Sequence, residues 1–248
     1  MLRSAKDMLG CKVHAADGKI GDVEDVYFED LGWTVRYVVV DTGNWLPGRL
    51  VLISPLSVAL GEQDWSKQVL PVCLTKEQVE KSPSADADKP VSRQHEIELN
   101  EYYGWPVYWP TFPAAVLQGE MRPAAASRGG KDGFGKEEGD PHLRSMKVLK
   151  GYYIEAEDGE IGHVEDFIVD TEDWTVRYMV VDTRNWLPER KVLVAPAWVK
   201  AVKWGDKKVQ VEFPRETIRE SPEFDPSQPV NRKYEARLYD YYGRSSYW

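Results

Sequence analysis

Two tandem copies of a mainly β domain, each a small barrel or sandwich of about six short strands trailed by short helices, are predicted by three observations. The first is a repeat. Residues 33–42 read Trp-Thr-Val-Arg-Tyr-Val-Val-Val-Asp-Thr, and residues 174–183 repeat them with one change, Met179 for Val38. Asn44-Trp45-Leu46-Pro47 recurs as Asn185-Trp186-Leu187-Pro188 at the same offset of 141 positions. The second is patterning: short runs rich in β-branched and aromatic residues are bounded by Gly, Pro, Asp and Asn. The third is that strong helix-capping signals fall in the last third of each copy, after residues 74 and 213.

In chain order, Leu2–Gly10 is a short extended or helical lead-in, and 143–151 repeats its plan. Cys11–Ala15 alternates into a first strand. Asp17-Gly18 and Asp158-Gly159 are hairpin signals of the type I′ kind, in which the central residues take positive φ. Strand two runs over Ile20–Phe28 and Ile161–Val169, where Gly21 and Gly162 predict a bulge or corner. The repeated stretch is strand three. Its unbroken apolar triplet, 38–40 or 179–181, fits a strand covered on both faces. Pro47 and Pro188 end the excursion, and strand four starts at Arg49 or Arg190. Leu56–Leu60 and Ala197–Val202 predict a short fifth strand. Val69–Leu74 and Lys207–Phe213 complete the set, now at an offset of 139.

Thr75-Lys76-Glu77-Gln78 is a capping box that opens a helix stopped at Ser82-Pro83. Pro214 takes its place in the second copy. A second helix runs from an N-cap at Ser92 or Asn231 to a stop at Gly104 or Gly243. Residues 110–141 lack any apolar period and read as a flexible linker. The organisation is therefore residues 1–109, a linker over 110–141, and residues 142–248.

Net charge is −9 with no basic run, which argues against a nucleic-acid partner. The two cysteines, Cys11 and Cys73, lie in the first copy, and Tyr152 and Glu212 stand at the matching positions. Two free, partly buried thiols in a reducing compartment are expected, with no metal site. No apolar run approaches 18 residues and the N-terminus has no signal-like apolar region, so a soluble cytoplasmic protein without direct membrane insertion is expected. The four histidines show no ligand spacing and read as solvated or hydrogen-bonded surface groups. Asp-Gly-Lys-Ile-Gly precedes a strand, which removes it as a phosphate loop.

The segments Asp-Gly-x-Ile-Gly-x-Val-Glu-Asp and Trp-Thr-Val-Arg-Tyr-x-Val-Val-Asp-Thr, followed by a strand ending at Pro, resemble the PRC-barrel domain. That family is named for the cytoplasmic part of the photosynthetic reaction centre H subunit and recurs as the C-terminal domain of the ribosome maturation factor. The pattern covers about residues 2–74 and 143–213. The resemblance implies two six-stranded β-barrels used for protein contacts, and carries no catalytic residues or cofactor with it. The membrane helix of the H subunit and the N-terminal domain of the maturation factor have no counterpart in this sequence.

A non-enzymatic cytoplasmic interaction or adaptor module is the function expected, with an unidentified protein partner that extends to membrane-bound complexes. Asn44, Trp45, Leu46 and Pro47, with Asn185, Trp186, Leu187 and Pro188, are the candidate partner-binding residues, since Trp anchors are enriched at hot spots. The same loops would alternatively plug a barrel end or meet the other copy. Copy-to-copy packing or a homodimer fits the repeat. Arg36 and Arg177, in otherwise apolar strands, either pair with a carboxylate or bind an anion in a groove between copies. The carboxylates Glu24, Asp25, Asp41, Glu165, Asp166 and Asp182 carry no sign of convergence. Glu24 and Asp25, adjacent in a strand, point to opposite faces.

Overall fold

A computed structural model describes residues 1–59, 65, 67–83, 91–109, 142–183 and 190–248. The linker expectation and the Asn185–Pro188 loop fall outside these residues. The fold is mainly β, as the pattern predicts. The first copy contributes β1 (Leu2–Ser4), α1 (Ala5–Met8), β2 (Lys12–Ala15), β3 (Gly18–Glu29), β4 (Thr34–Asp41), β5 (Leu50–Ile53), β6 (Val69–Pro71), α2 (Lys76–Lys81) and α3 (Arg93–Tyr103). The second contributes β7 (Leu143–Ser145), α4 (Met146–Leu149), β8 (Tyr153–Ala156), β9 (Gly159–Asp170), β10 (Thr175–Asp182), β11 (Lys191–Val194), β12 (Val199–Lys203), β13 (Lys208–Val211), α5 (Arg215–Glu220) and α6 (Arg232–Tyr242).

Within the second copy the strands follow the order β11-β10-β9-β8-β13-β12, with β8 and β13 parallel and the other pairs antiparallel. The first copy repeats this as β5-β4-β3-β2-β6, again with the parallel pair at β2 and β6. Its fifth predicted strand is a 3₁₀ turn over Pro55–Ser57 and a single bridge, Val58 to Val72. A similar 3₁₀ turn, Pro196–Trp198, leads into β12 in the second copy.

The Asp-Gly turns differ from the type I′ expectation. Neither Ala16 nor Asp17 has positive φ, and Gly18 sits at φ +139°. The Asp instead turns outward from the hairpin to cap a helix: Asp17 Oδ1 accepts from Lys76 N at 2.8 Å, and Asp158 Oδ1 from Arg215 N at 2.7 Å. Gly21 and Gly162 stand at bulges, as expected: opposite β2 the register skips Ile20 between Gly21 and Lys19, and opposite β8 it skips Ile161 between Gly162 and Glu160. The glycines are required because the neighbouring strand passes almost over them: a Cβ there would lie 2.1 Å from the carbonyl oxygen of Asp41 or Asp182.

The two long strands explain how the copies join. β3 has twelve residues, of which the first part pairs with β2 and the last three, Tyr27–Glu29, outrun that hairpin. An edge left open there would expose unpaired backbone groups. The other copy covers it: β7 pairs antiparallel with Tyr27–Glu29, and β1 pairs with Ile168–Asp170 of β9. The exchange is reciprocal, with Leu143 opposite Glu29 and Leu2 opposite Asp170. The copies also meet at the turns before β4 and β10. Val35 N donates to Trp174 O at 2.7 Å, and Val176 N to Trp33 O at 2.8 Å. Trp33 and Trp174 hold positive φ, 55° and 58°, and both are buried. A single hydrophobic cluster runs across this seam, with Phe28 and Phe167 6.2 Å apart within it.

The helical boundaries fall where the capping residues place them. Thr75 accepts from Gln78 N while the Gln78 side chain accepts from Thr75 N, closing the capping box. Ser92 and Asn231 cap α3 and α6, which end at Gly104 and Gly243 in the left-handed region.

Candidate functional site

The repeated Val-Glu-Asp segment serves the seam. Asp25 Oδ2 accepts from the Ser145 hydroxyl and its Oδ1 from Lys147 N at 3.2 Å, both on the opposite copy. Asp166 does the same for Ser4, at 2.5 Å, and for Lys6 N, at 3.0 Å. Each carboxylate thus satisfies the first turn of the short helix that follows the other copy's lead strand. Glu24, at the register shift between Val23 and Asp25, also contacts Lys147, so the two side chains are not separated onto opposite faces as expected, and Glu165 holds Lys191 at 2.7 Å. Asp41 is exposed and accepts from Gly43 N at 2.8 Å, whereas Asp182 is fully buried. The six candidate carboxylates are spread through the structure rather than gathered in a cleft.

Burial pushes the Asp25 and Asp166 carboxyls above the ordinary Asp value, against the hydrogen bonds they receive. The folded protein therefore holds these protons more tightly than the unfolded chain. Their contribution to stability grows as pH falls from the raised value toward 3.8 and is lost as pH rises through that window. Urea unfolding of wild type and of the D25N/D166N variant across pH 4–7 should show wild type gaining on the variant as pH falls, by up to about 1.4 kcal/mol per pH unit for each group inside its window. A pH-independent difference between the two would refute this assignment.

Arg36 and Arg177 both meet carboxylates. Arg36 Nη2 lies 3.4 Å from Glu29 Oε1, and Arg177 contacts Asp173 and lies 3.7 Å from Asp170. Each guanidinium is also covered by a tyrosine of the copy's own tail, Tyr108 at 3.9 Å and Tyr247 at 4.1 Å from the ring centroids. A second arginine, Arg93 or Arg232, lies over the following tryptophan, Trp109 or Trp248, at 4.1 or 4.2 Å. Beneath these layers sits a buried glutamate. Glu96 accepts from Tyr108 Oη at 2.7 Å and Arg93 Nη1 at 3.0 Å, and it meets His142. Glu235 accepts from Tyr178 Oη and Tyr247 Oη, both at 2.8 Å, and pairs with Arg232 at 3.2 Å. Burial, with the glutamate's charge added, raises the Tyr37 and Tyr108 hydroxyls above their usual range, so they remain donors. This tail latch was not read from the sequence, although Glu96 and Glu235 fall at matched positions in otherwise polar helices.

Of the candidate partner-binding loop, Asn44 and Pro47 are exposed. Trp45 is half-buried against its own core, with Lys76 Nζ 4.6 Å from its ring centroid. Leu46 is half-buried, and its carbonyl accepts from Thr42 Oγ1 at 2.7 Å. Asn185, Trp186, Leu187 and Pro188 lie outside the described residues. Cys11 is buried and Cys73 exposed, so the expectation of two partly buried thiols is corrected at Cys73.

The seam creates two matching grooves. One, of about 410 Å³, is walled by the 3₁₀ turn and the post-α3 tail of the first copy and closed by Glu172, Asp173 and Trp174 from the hairpin of the second. The other, of about 510 Å³, has the same plan with the copies reversed, closed by Asp30, Leu31, Gly32 and Trp33. Each copy thus finishes the other's groove. Leu56 and Val107 are 66 % and 42 % exposed in the first, and Leu31 is 94 % exposed at the second.

The family model of the PRC-barrel domain matches residues 2–64 and, a second time, residues 147–218. The chain belongs to the PRC-barrel family. No curated protein matches it. In this tandem PRC-barrel protein α3 and α6, with the Tyr-Trp tails that build the latch and the Trp105–Tyr108 wall of the first groove, lie outside the matched segments. Among the described residues, no helix is long and apolar enough to cross a membrane, and no group of three or more His, Cys, Asp or Glu side chains is arranged to hold a metal ion.

Proposed function

We propose that this PRC-barrel protein is a non-enzymatic, cytoplasmic interaction module whose two copies jointly form its partner-binding face, serving as an adaptor on a larger or membrane-bound complex. The observation that carries this reading is the pair of composite grooves at the seam, where exposed leucines stand on surfaces that neither copy has alone. Apolar side chains of this size grouped in a concave surface are the usual material of a protein contact. The paired state of Arg36 and Arg177 supports a structural role for both, in preference to an anion site that would have to displace Glu29 or Asp173.

Affinity capture from native lysate, including detergent-solubilised membranes, tests the reading with three proteins: wild type, L31D/L56D and W45A. A partner held by wild type and W45A but lost by the folded L31D/L56D variant supports the seam as the face. Loss on W45A alone moves the face to the Asn44–Pro47 loop. Turnover of a substrate abolished by one carboxylate substitution would sink the non-enzymatic reading.

A further inference from the structure

The two grooves share a plan but not a floor. In the second copy Tyr239 lines it, backed by Trp198 at 5.3 Å, and both are buried. The matching residues of the first copy are Ser57 and Asn100, so an aromatic block is replaced by a hydroxyl and an amide. Trp105 partly compensates, stacking on Tyr103 at 4.2 Å and donating its indole N–H to Ser57 Oγ at 2.9 Å. Two donors on the groove wall nevertheless have no acceptor: Asn100 Nδ2 and Trp174 Nε1, on residues 5 % and 6 % exposed. Buried polar groups are nearly always hydrogen-bonded, so two unpaired donors in one groove call for an acceptor from outside the chain.

We propose that the groove of the first copy binds an extended peptide segment carrying an aliphatic side chain next to a lysine or arginine. The proposal rests on the interaction-module reading and names its ligand. Pro55, Leu56 and Val107 offer the aliphatic side chain an apolar wall. An extended backbone offers the carbonyl oxygens that the Asn100 and Trp174 donors lack. Glu172 and Asp173 meet the Met1 ammonium and Arg177 but remain 83 % and 50 % exposed at the groove, whereas the guanidinium lining it, Arg36, is 25 % exposed and held by Glu29 and the Tyr108 ring. Charge complementarity therefore favours a basic neighbour and disfavours an anion, in a chain of net charge −9.

Panning a random linear peptide library on phage against the full chain tests this, with affinities of enriched synthetic peptides measured by fluorescence anisotropy. The expected consensus pairs an aliphatic with a basic residue. Leu56→Asp should weaken binding about tenfold or more, as loss of a central apolar contact does. Asn100→Tyr, which installs the residue the second copy already accommodates, should do the same, while Val148→Asp, at an exposed side chain outside both grooves, should leave affinity unchanged. Enriched peptides indifferent to L56D and N100Y would overturn the site while leaving the module reading intact. A library yielding no binder would overturn the peptide ligand. If octanoate then raised the melting temperature of wild type but not of N100Y, the groove would be a small-carboxylate site instead.

Discussion

Replacing Gly21 or Gly162 by alanine is expected to destabilise the protein by about 3 kcal/mol or more, among the largest effects a single methyl can have. The new Cβ at Gly21 would stand 2.1 Å from Asp41 O and 2.8 Å from Val40 Cγ1, and at Gly162 it would stand 2.1 Å from Asp182 O. The obstacle is the backbone of the adjacent strand, which is fixed by its pairing across β3, where Asp22 faces Asp41. It cannot yield as a side-chain end would. Gly205→Ala is the control: its Cβ meets nothing within 4 Å, and its φ is not positive. Urea midpoints read the difference, with the slope expected to stay constant. Equal midpoints for G21A and G205A would show that the strand approach is looser than described.

Glu235→Ala is expected to cost about 2–3 kcal/mol, because it leaves the buried Tyr178 hydroxyl without its acceptor and releases the tail tyrosine. Tyr178, buried and above its usual titration range chiefly through burial, would lose its acceptor, and Arg232 its partner. The tail residue Tyr247, pushed up to about 12 by burial and its bond to Glu235, would lose its anchor as well. Limited proteolysis should therefore release residues after Gly243 from E235A faster than from wild type. Glu235→Gln keeps an oxygen for the tyrosine hydroxyls and should lie between the two. A loss under about 1 kcal/mol for E235A would mean that the tail is held by aromatic packing alone.

Much of the fold was legible because it rests on local chemistry. The hairpin, the two helices of each tail and their caps at Thr75, Ser92 and Asn231 depend on residues a few positions apart, and they appear where the sequence puts them. The repeat disclosed two equivalent units, and the PRC-barrel motif gave their family. The reading of Gly21 as a bulge position holds, and the structure adds a second cause. A glycine in a strand signals missing space, but only the opposing Asp41 carbonyl shows what occupies it.

The site was far less legible. Asp25 and Asp166 read only as strand carboxylates with no sign of convergence, yet their partners are 120 to 162 positions away on the other copy. Trp45 read either as a partner anchor or as a plug of the barrel end, and it lies half-buried against its own core under Lys76. The unpaired donors of Asn100 and Trp174 belong to different copies and share a wall only because the hairpin of one closes the groove of the other.

By itself, then, the sequence determined the strand periodicity, the caps, the duplication and the family, because each follows from spacing along one chain. Tertiary structure alone decided that the copies exchange their lead strands, that the Val-Glu-Asp carboxylate caps its neighbour's helix, and that the grooves are composite. Those outcomes depend on the long strands β3 and β9 outrunning their own hairpin partners. The edge left open must be paired by something, and in this chain the other copy supplies the strand.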